Sequence, residues 1–81
     1  MNDEYTAEEL LEASRYPVVV QWSTEDQLFL ATLPDMGGLT VHGSSPEEAV
    51  AEATRAAADW LYGVRQLGED VPSPTPITVS R

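Results

Sequence analysis

The spacing of apolar and polar residues predicts elements in the order α-β-β-β-α-β. The first is a helix near the start of the chain, where Thr6 and Glu9 have the spacing of a capping box. In that motif the hydroxyl accepts a hydrogen bond from the amide three residues later, and the carboxylate reaches back to the first amide. We therefore expect a short helix that runs to about Ser14 and is closed by Pro17.

Three runs with the composition of strands follow this helix. Residues 16–23 are rich in valine and contain a tryptophan, and residues 28–33 form a second apolar run after a polar turn. The short spacing between them indicates a hairpin with about four loop residues. Residues 34–38 contain Pro and Gly and break the pattern, and alternation resumes over residues 39–42. Three consecutive antiparallel strands form a meander.

A long amphipathic helix is predicted after the third strand. Ser45 can be its N-cap, Pro46 suits the first helical position, and Glu48 would complete a second capping box. The apolar residues that recur at steps of three or four are Ala49, Val50, Ala53, Ala57, Trp60, Leu61, Val64 and Leu67. We expect this helix to continue to Leu67 and to stop at Gly68.

The whole chain, 1–81, is predicted to form one domain. Its parts are an N-terminal helix (1–15), the meander and main helix (16–67), and a proline-rich connector with a last strand (68–81), which would pair at a sheet edge through Ile77 to Ser80. The fold class is α+β, with a small antiparallel β-sheet, a three-stranded meander plus a short edge strand, packed on one long helix, and an extra short N-terminal helix.

One long helix can cover only one face of this sheet. Val18, Val20 and Trp22 share a face of the first strand, whereas both faces of the second strand, residues 28–33, are largely apolar. The other face would be covered by the N-terminal helix, by a second copy of the chain or by a foreign protein. Because a chain of 81 residues buries a limited core, a homodimer or homotetramer is expected.

Charge narrows the class of partner. Fourteen acidic residues against four basic ones give a formal net charge of -10, which opposes direct binding of nucleic acid and favours a partner with a basic surface. Solubility alone is the alternative explanation of this charge. The chain has no cysteine and no apolar run of the roughly 20 residues that a bilayer requires, so we expect no membrane insertion and a cytoplasmic location.

No catalytic, cofactor-binding or metal-binding residue is predicted. His42 and Asp35 resemble a base and its orienting carboxylate, but the third member of a triad would be Ser44 or Ser45, and Ser45 is the predicted helix cap. His42 is most simply a surface residue at a strand end. Asp26 and Asp35 lie at opposite ends of one strand, so they do not converge as metal ligands would.

An ordered series of motifs resembles the N-terminal domain of HicB antitoxins and HicB-like proteins. The series comprises the strand YPVVVQW, a Pro-Asp dipeptide that ends the next strand, a glycine turn, and a helix that opens with SPEEA; it spans Tyr16 to about Pro74. The turn lacks the second proline and the cysteine that are usual in the family, and the N-terminal helix is additional. Because the sequence ends at Arg81, before the DNA-binding region that such antitoxins usually carry, we do not expect it to contact operator DNA itself.

The resemblance implies a fold likened to a reduced ribonuclease H domain, and a protein that binds and silences a basic HicA-type toxin that cleaves messenger RNA. An acidic inhibitor of a basic toxin agrees with the charge of the chain. We expect exposed sheet or turn residues to cover the toxin's RNA-binding surface. The candidate contact residues are Trp22, Glu25, Asp26, Asp35 and Met36.

Two alternatives remain open at the level of sequence. The first is an orphan HicB-like protein without a toxin, whose open sheet face only joins copies of the chain. The second is a residual metal-dependent nuclease, which the ribonuclease H likeness suggests.

Overall fold

The computed structural model describes residues 5–76, which form an α+β structure in the predicted order up to the long helix. The predicted last strand, Ile77 to Ser80, lies outside the described residues. The elements are α1 (Ala7–Ala13), β1 (Val19–Ser23), β2 (Leu28–Leu33), a 3₁₀ turn (Pro34–Met36), β3 (Leu39–Gly43) and α2 (Pro46–Gln66).

Both helices begin at the predicted caps. Thr6 Oγ1 accepts from the Glu9 amide at 3.1 Å, and the Glu9 carboxylate accepts from the Thr6 amide at 2.8 Å, so the first capping box is confirmed. Ser45 Oγ accepts from the Glu48 amide at 3.1 Å, but the reciprocal bond to Ser45 was predicted wrongly. The Glu48 carboxylate instead accepts from the amide and hydroxyl of Ser44, and these bonds lower its pKa. The start of α2 is thereby tied to the end of β3.

The three strands form an antiparallel sheet in the order β1-β2-β3, and residues 24–27 form the four-residue turn of the first hairpin. The two faces differ in what covers them. The inner face, toward α2, carries Val18, Val20, Trp22, Phe29, Ala31, Leu33, Leu39, Val41 and Gly43. The outer face carries Val19, Gln21, Ser23, Leu28, Leu30, Thr32, Thr40 and His42.

Helix α2 is seated on β3 through a backbone contact at Gly43. This glycine is buried, and a Cβ atom added to it would lie 2.5 Å from the amide nitrogen of Ala49. Ala49, Ala53 and Ala57 are all fully buried, so small side chains let the helix approach the sheet closely. As a result α2 packs most extensively on β3, less on β2 and least on β1.

Strand β1 is left largely uncovered on its inner face. It lies two strand spacings from β3, about 10 Å away, whereas an α-helix with its side chains is only about 10–12 Å in diameter. A helix centred near β3 therefore contacts β1 only at its margin. The exposure of the two inner-face side chains of β1 agrees with this geometry. Trp22 is 50% exposed, and Val20 is only half-buried.

Helix α1 packs beside α2 and does not cover the outer face of the sheet. Arg65 donates to both carboxylate oxygens of Glu12, at 3.1 and 2.6 Å, and the Tyr5 hydroxyl donates to Asp59. Ala13 adds a buried contact to the core. The possibility that the N-terminal helix covers the second sheet face is therefore wrong, because the contact of α1 is with the helix layer.

The segment after α2 crosses the end of the sheet at which β1 begins and β2 ends. The Tyr16 hydroxyl donates to the Pro72 carbonyl at 2.6 Å. The Asp35 carboxylate accepts from the amide of Thr75 at 2.8 Å and from its hydroxyl at 2.6 Å. Residues 69–76 thus form a connector without helix or strand, fixed at two points, as the prolines predict.

The seating of α2 on Gly43 predicts opposite effects for two glycine substitutions. Gly43→Ala places a methyl group against the backbone of α2, and we expect it to lower the free energy of unfolding by about 1–3 kcal/mol. Gly63→Ala, in the interior of the same helix, meets nothing within 4 Å and should raise it by about 0.5–1 kcal/mol. Urea denaturation measures both, and a Gly43→Ala variant as stable as the parent would contradict the seating.

Candidate partner-binding site

The five candidate contact residues lie at two opposite ends of β2. Trp22, Glu25 and Asp26 are at the hairpin end, whereas Asp35 and Met36 follow the last residue of the strand. Six residues of extended chain separate the two groups by about 17 Å. The candidates therefore do not form one continuous surface.

Asp35 and Met36 have structural roles in the described chain. Met36 is only 2% exposed, so the prediction that it lies on the surface is wrong: the 3₁₀ turn that begins at Pro34 directs its third side chain back into the core. Asp35 holds Thr75, and the hydrogen bonds from the Thr75 hydroxyl and amide lower the pKa of its carboxyl group. Met36 is therefore not available for a partner contact, and the Asp35 carboxylate already accepts two hydrogen bonds from Thr75.

The hairpin end presents an aromatic ring beside two carboxylates. The Trp22 ring packs edge-to-face on Phe29, with ring centroids 4.9 Å apart, and half of the Trp22 surface stays exposed. Asp26 closes the turn, because its amide donates to Ser23 Oγ at 3.2 Å and its carboxylate accepts from the same hydroxyl. Glu25 is exposed between them. This turn fixes a negative charge close to an apolar surface.

Helix α2 adds two residues to this surface that the sequence analysis did not identify. Phe29 pairs with Gly43, on which Ala49 is seated, so the first turns of α2 lie in the same row of the sheet as Trp22. The next residue, Val50, is 42% exposed. Glu47 lies three residues before it and therefore on the same side of the helix. Helical periodicity placed Val50 on the packed face, but periodicity alone does not locate the margin of that face.

From the strand register and the helical spacing we infer that these residues share one shallow apolar surface, which we call the Trp22 shelf. Its apolar residues are Val20, Trp22, Phe29 and Val50, and its acidic rim consists of Glu25 and Glu47. The Asp26 carboxylate is bonded to Ser23, on the outer face, and is not part of this rim. Helix α1 does not extend over it, because the contacts of α1 with α2 involve residues 58–65. An apolar centre with a polar rim, and an exposed tryptophan at the centre, is typical of protein-binding surfaces.

The described residues offer no observation that favours an enzyme site. His42 lies opposite Leu30, three rows or about 10 Å from the Leu33–Leu39 pair that adjoins Asp35. Within residues 5–76, no group of three or more His, Asp or Glu side chains is placed to hold a metal ion. Over the same range, no helix has the length and apolar character needed to span a bilayer.

Comparison with known families identifies the class of protein to which the chain belongs. Residues 16–81 match the profile of a family described as the HicB-like antitoxin of bacterial toxin-antitoxin systems. The chain belongs to the HicB-like antitoxin family. The resemblance carried by the strand, turn and helix motifs is thus confirmed. Neither a curated protein nor a solved structure shows a significant match.

Membership in this family indicates a regulatory protein of a toxin-antitoxin system. The matched region contains the Trp22 shelf in full, from Val20 to Val50. Helix α1, Ala7–Ala13, precedes the match and is an addition to the part of the HicB-like antitoxin that the profile describes.

Because the Asp35 carboxylate holds the connector through Thr75, we expect the connector to loosen from the sheet at acidic pH. The pKa of Asp35 is lower in the folded protein than its ordinary value. The hydrogen bonds of the ionised carboxylate therefore stabilise the fold fully above the ordinary aspartate pKa, and this stabilisation is lost as pH falls through the lower, folded-state pKa. We expect the Thr75 amide proton shift, measured by NMR, to follow this protonation. Asp35→Asn should abolish that titration, whereas Asp70→Asn, which changes an exposed carboxylate in the same segment, should leave it intact. A Thr75 shift that titrates unchanged in Asp35→Asn would contradict the assignment.

Proposed function

We propose that this HicB-like antitoxin binds a small basic toxin of the HicA type, which cleaves messenger RNA, and neutralises it stoichiometrically. The Trp22 shelf is the contact surface in this proposal. The observation that supports it is an exposed tryptophan on the helix side of the sheet, which α2 leaves largely uncovered and which lies beside the turn that carries Glu25. Asp35 and Met36 are not part of the proposed surface, because the first is bonded to Thr75 and the second is buried.

The charge of the shelf matches the surface that such a toxin must have. A protein that binds RNA carries basic groups that neutralise phosphates. The rim formed by Glu25 and Glu47 presents carboxylates to the same groups, in a chain with a net charge of -10. Long-range attraction accelerates the encounter, and docking then covers the basic surface so that RNA cannot enter.

The ring and the rim contribute differently to binding. A tryptophan side chain buries up to about 250 Å², so burial of the exposed half of Trp22 removes on the order of 100 Å² from water and contributes about 2–3 kcal/mol. Exposed carboxylates contribute less to affinity, because water and salt screen them, and more to the association rate. We therefore expect affinity to depend on Trp22 and the salt dependence of association to depend on the rim.

Substitutions on the shelf should weaken toxin binding selectively. Trp22→Ala should lower the affinity for the purified toxin by at least about tenfold, and Glu25→Lys should slow association, measured by surface plasmon resonance at two salt concentrations. The matched controls are Tyr62→Ala, at a ring that is 55% exposed elsewhere, and Glu69→Lys, at an exposed glutamate beyond α2.

A toxin RNA-cleavage assay provides the functional measurement. The parent and both controls should suppress cleavage at equal molar ratio, and Trp22→Ala should require an excess. Equal suppression by Trp22→Ala and the parent would exclude the shelf as the contact surface. The toxin to test first is the basic protein, if one is present, that the neighbouring reading frame encodes.

A further inference from the structure

We propose that the unpaired edge of β3 and the adjoining side of α2 form a second binding site, which we call the β3 groove. Its occupant is an extended segment of a partner protein with basic side chains at alternate positions. This inference goes beyond toxin binding at the Trp22 shelf and does not depend on it, because the shelf extends from α2 toward β1, whereas the groove lies at the opposite edge of the sheet.

Strand β3 lies at an edge of the described sheet. Within residues 5–76 it pairs with β2 alone, so alternate residues direct their amide and carbonyl groups away from the sheet. Edge strands are commonly protected from further pairing by lysine, proline or a bulge. The sequence of β3, LTVHG, contains neither lysine nor proline, and its register with β2 is unbroken. This edge is therefore suited to accept an added strand.

Two depressions lie between this edge and α2. The lining of the first includes Val41, Gly43, Glu48 and Glu52. The second is lined by Leu39, Ala56, Asp59 and Trp60. Because β3 and α2 run in opposite directions, the first depression adjoins the end of β3 and the second adjoins its start. Together they accompany the strand over its full length of about 13 Å, which an extended segment of about five residues spans.

Two carboxylates of α2 face the first depression and can receive basic groups. Glu48 accepts from the amide and the hydroxyl of Ser44 through Oε1 alone, so its position is fixed while Oε2 can accept from another donor. Glu52 is half-buried, and its carboxylate lies 3.4 Å from Arg55, which is exposed. An exposed pair of this length contributes little, so a second basic group can share the Glu52 carboxylate. The groove thus has fixed negative charge beside a strand edge.

The spacing of these carboxylates matches the spacing of side chains on a strand. Glu48 and Glu52 are separated by one helical turn, about 6 Å along α2. Alternate residues of a strand project on the same side, about 6.6 Å apart. An added strand with lysine or arginine at two alternate positions therefore brings one basic group to each carboxylate, and the aliphatic parts of these side chains cover the half-buried Val41.

The same chemistry argues against a second copy of this chain as the occupant. The basic residues of the chain are Arg15, Arg55, Arg65 and Arg81, so no segment carries two of them at alternate positions. A second copy also brings a net charge of -10 to a groove that is itself acidic. The occupant that fits the groove is therefore a basic segment of a different protein.

An NMR titration of the isotope-labelled full chain tests the proposal. The probe is a capped peptide of three lysines alternating with two valines. We expect shift changes at the amides of β3 and at the indole of Trp60, with a dissociation constant of about 1 mM. Hydrogen exchange of the outward-facing β3 amides should be fast in the free chain and slower with the peptide bound.

Two controls separate strand pairing from attraction between opposite charges. The same peptide with a methyl group on every backbone nitrogen keeps its lysines but cannot donate to β3, so it should bind at least about tenfold more weakly. Glu52→Gln should weaken binding of the unmethylated peptide about threefold, whereas Glu8→Gln, which removes the same charge from α1, should not. The methylated peptide requires no protein variant, so the test holds even if Glu52→Gln does not fold.

Three results would overturn the proposal. The first is slow exchange of every β3 amide in the free chain, because the edge would then be occupied already. The second is equal binding of the methylated and unmethylated peptides, and the third is a set of shift changes centred on the Trp22 indole. Trp22→Ala should bind the peptide as the parent does, so failure of the β3 groove is distinguishable from failure of the Trp22 shelf.

Discussion

The contact between Gly43 and the first turn of α2 determines where the helix lies on the sheet, and therefore which side chains of the sheet stay exposed. Because a side chain at Gly43 would meet the backbone of Ala49 at 2.5 Å, the helix lies directly on β3, and the fully buried alanines that follow keep it close to the sheet. A helix is too narrow to extend from there over β1. The exposed ring of Trp22 is therefore a consequence of where the helix is anchored, and the same backbone contact that stabilises the fold creates the apolar surface that we assign to the toxin.

The two faces of the sheet differ in what covers them. On the helix side, the exposed ring of Trp22 lies beside the turn that carries Glu25, and we assign this surface to a basic partner. On the outer side, the described strands carry apolar and hydroxyl side chains, and Glu48 and Glu52 of α2 lie next to Leu28 and His42. The negative charge of the chain is therefore not confined to one face of the sheet.

Features that depend on local chemistry could be predicted from the sequence, whereas features that depend on tertiary placement could not. The caps at Thr6 and Ser45, the hairpin turn and the α+β order follow from hydrogen bonding and periodicity within a few residues. The burial of Met36 depends on a 3₁₀ turn that reverses the direction of its side chain, and the bond of Glu48 to Ser44 depends on how β3 enters the helix. The exposure of Val50 depends on where α2 lies across the sheet, and helical periodicity contains no information on that position. Of the candidate site, Trp22 and Glu25 were identified from the sequence, and Val20, Phe29, Val50 and Glu47 required the fold. The side of the sheet to which the Asp26 carboxylate turns also required the fold.

The most direct test of this account is an NMR titration of the isotope-labelled antitoxin with its unlabelled toxin, read at backbone amides and at the tryptophan indole groups. We expect the largest shift changes at Trp22, Phe29 and Val50, with small changes for Leu30 and Thr40 on the outer face. The indole of Trp60, on the half-buried side of α2 next to Leu39, should change less than that of Trp22. Changes concentrated on the outer face, with the Trp22 indole unaffected, would contradict the assignment of the uncovered inner face of β1 as the toxin-binding surface.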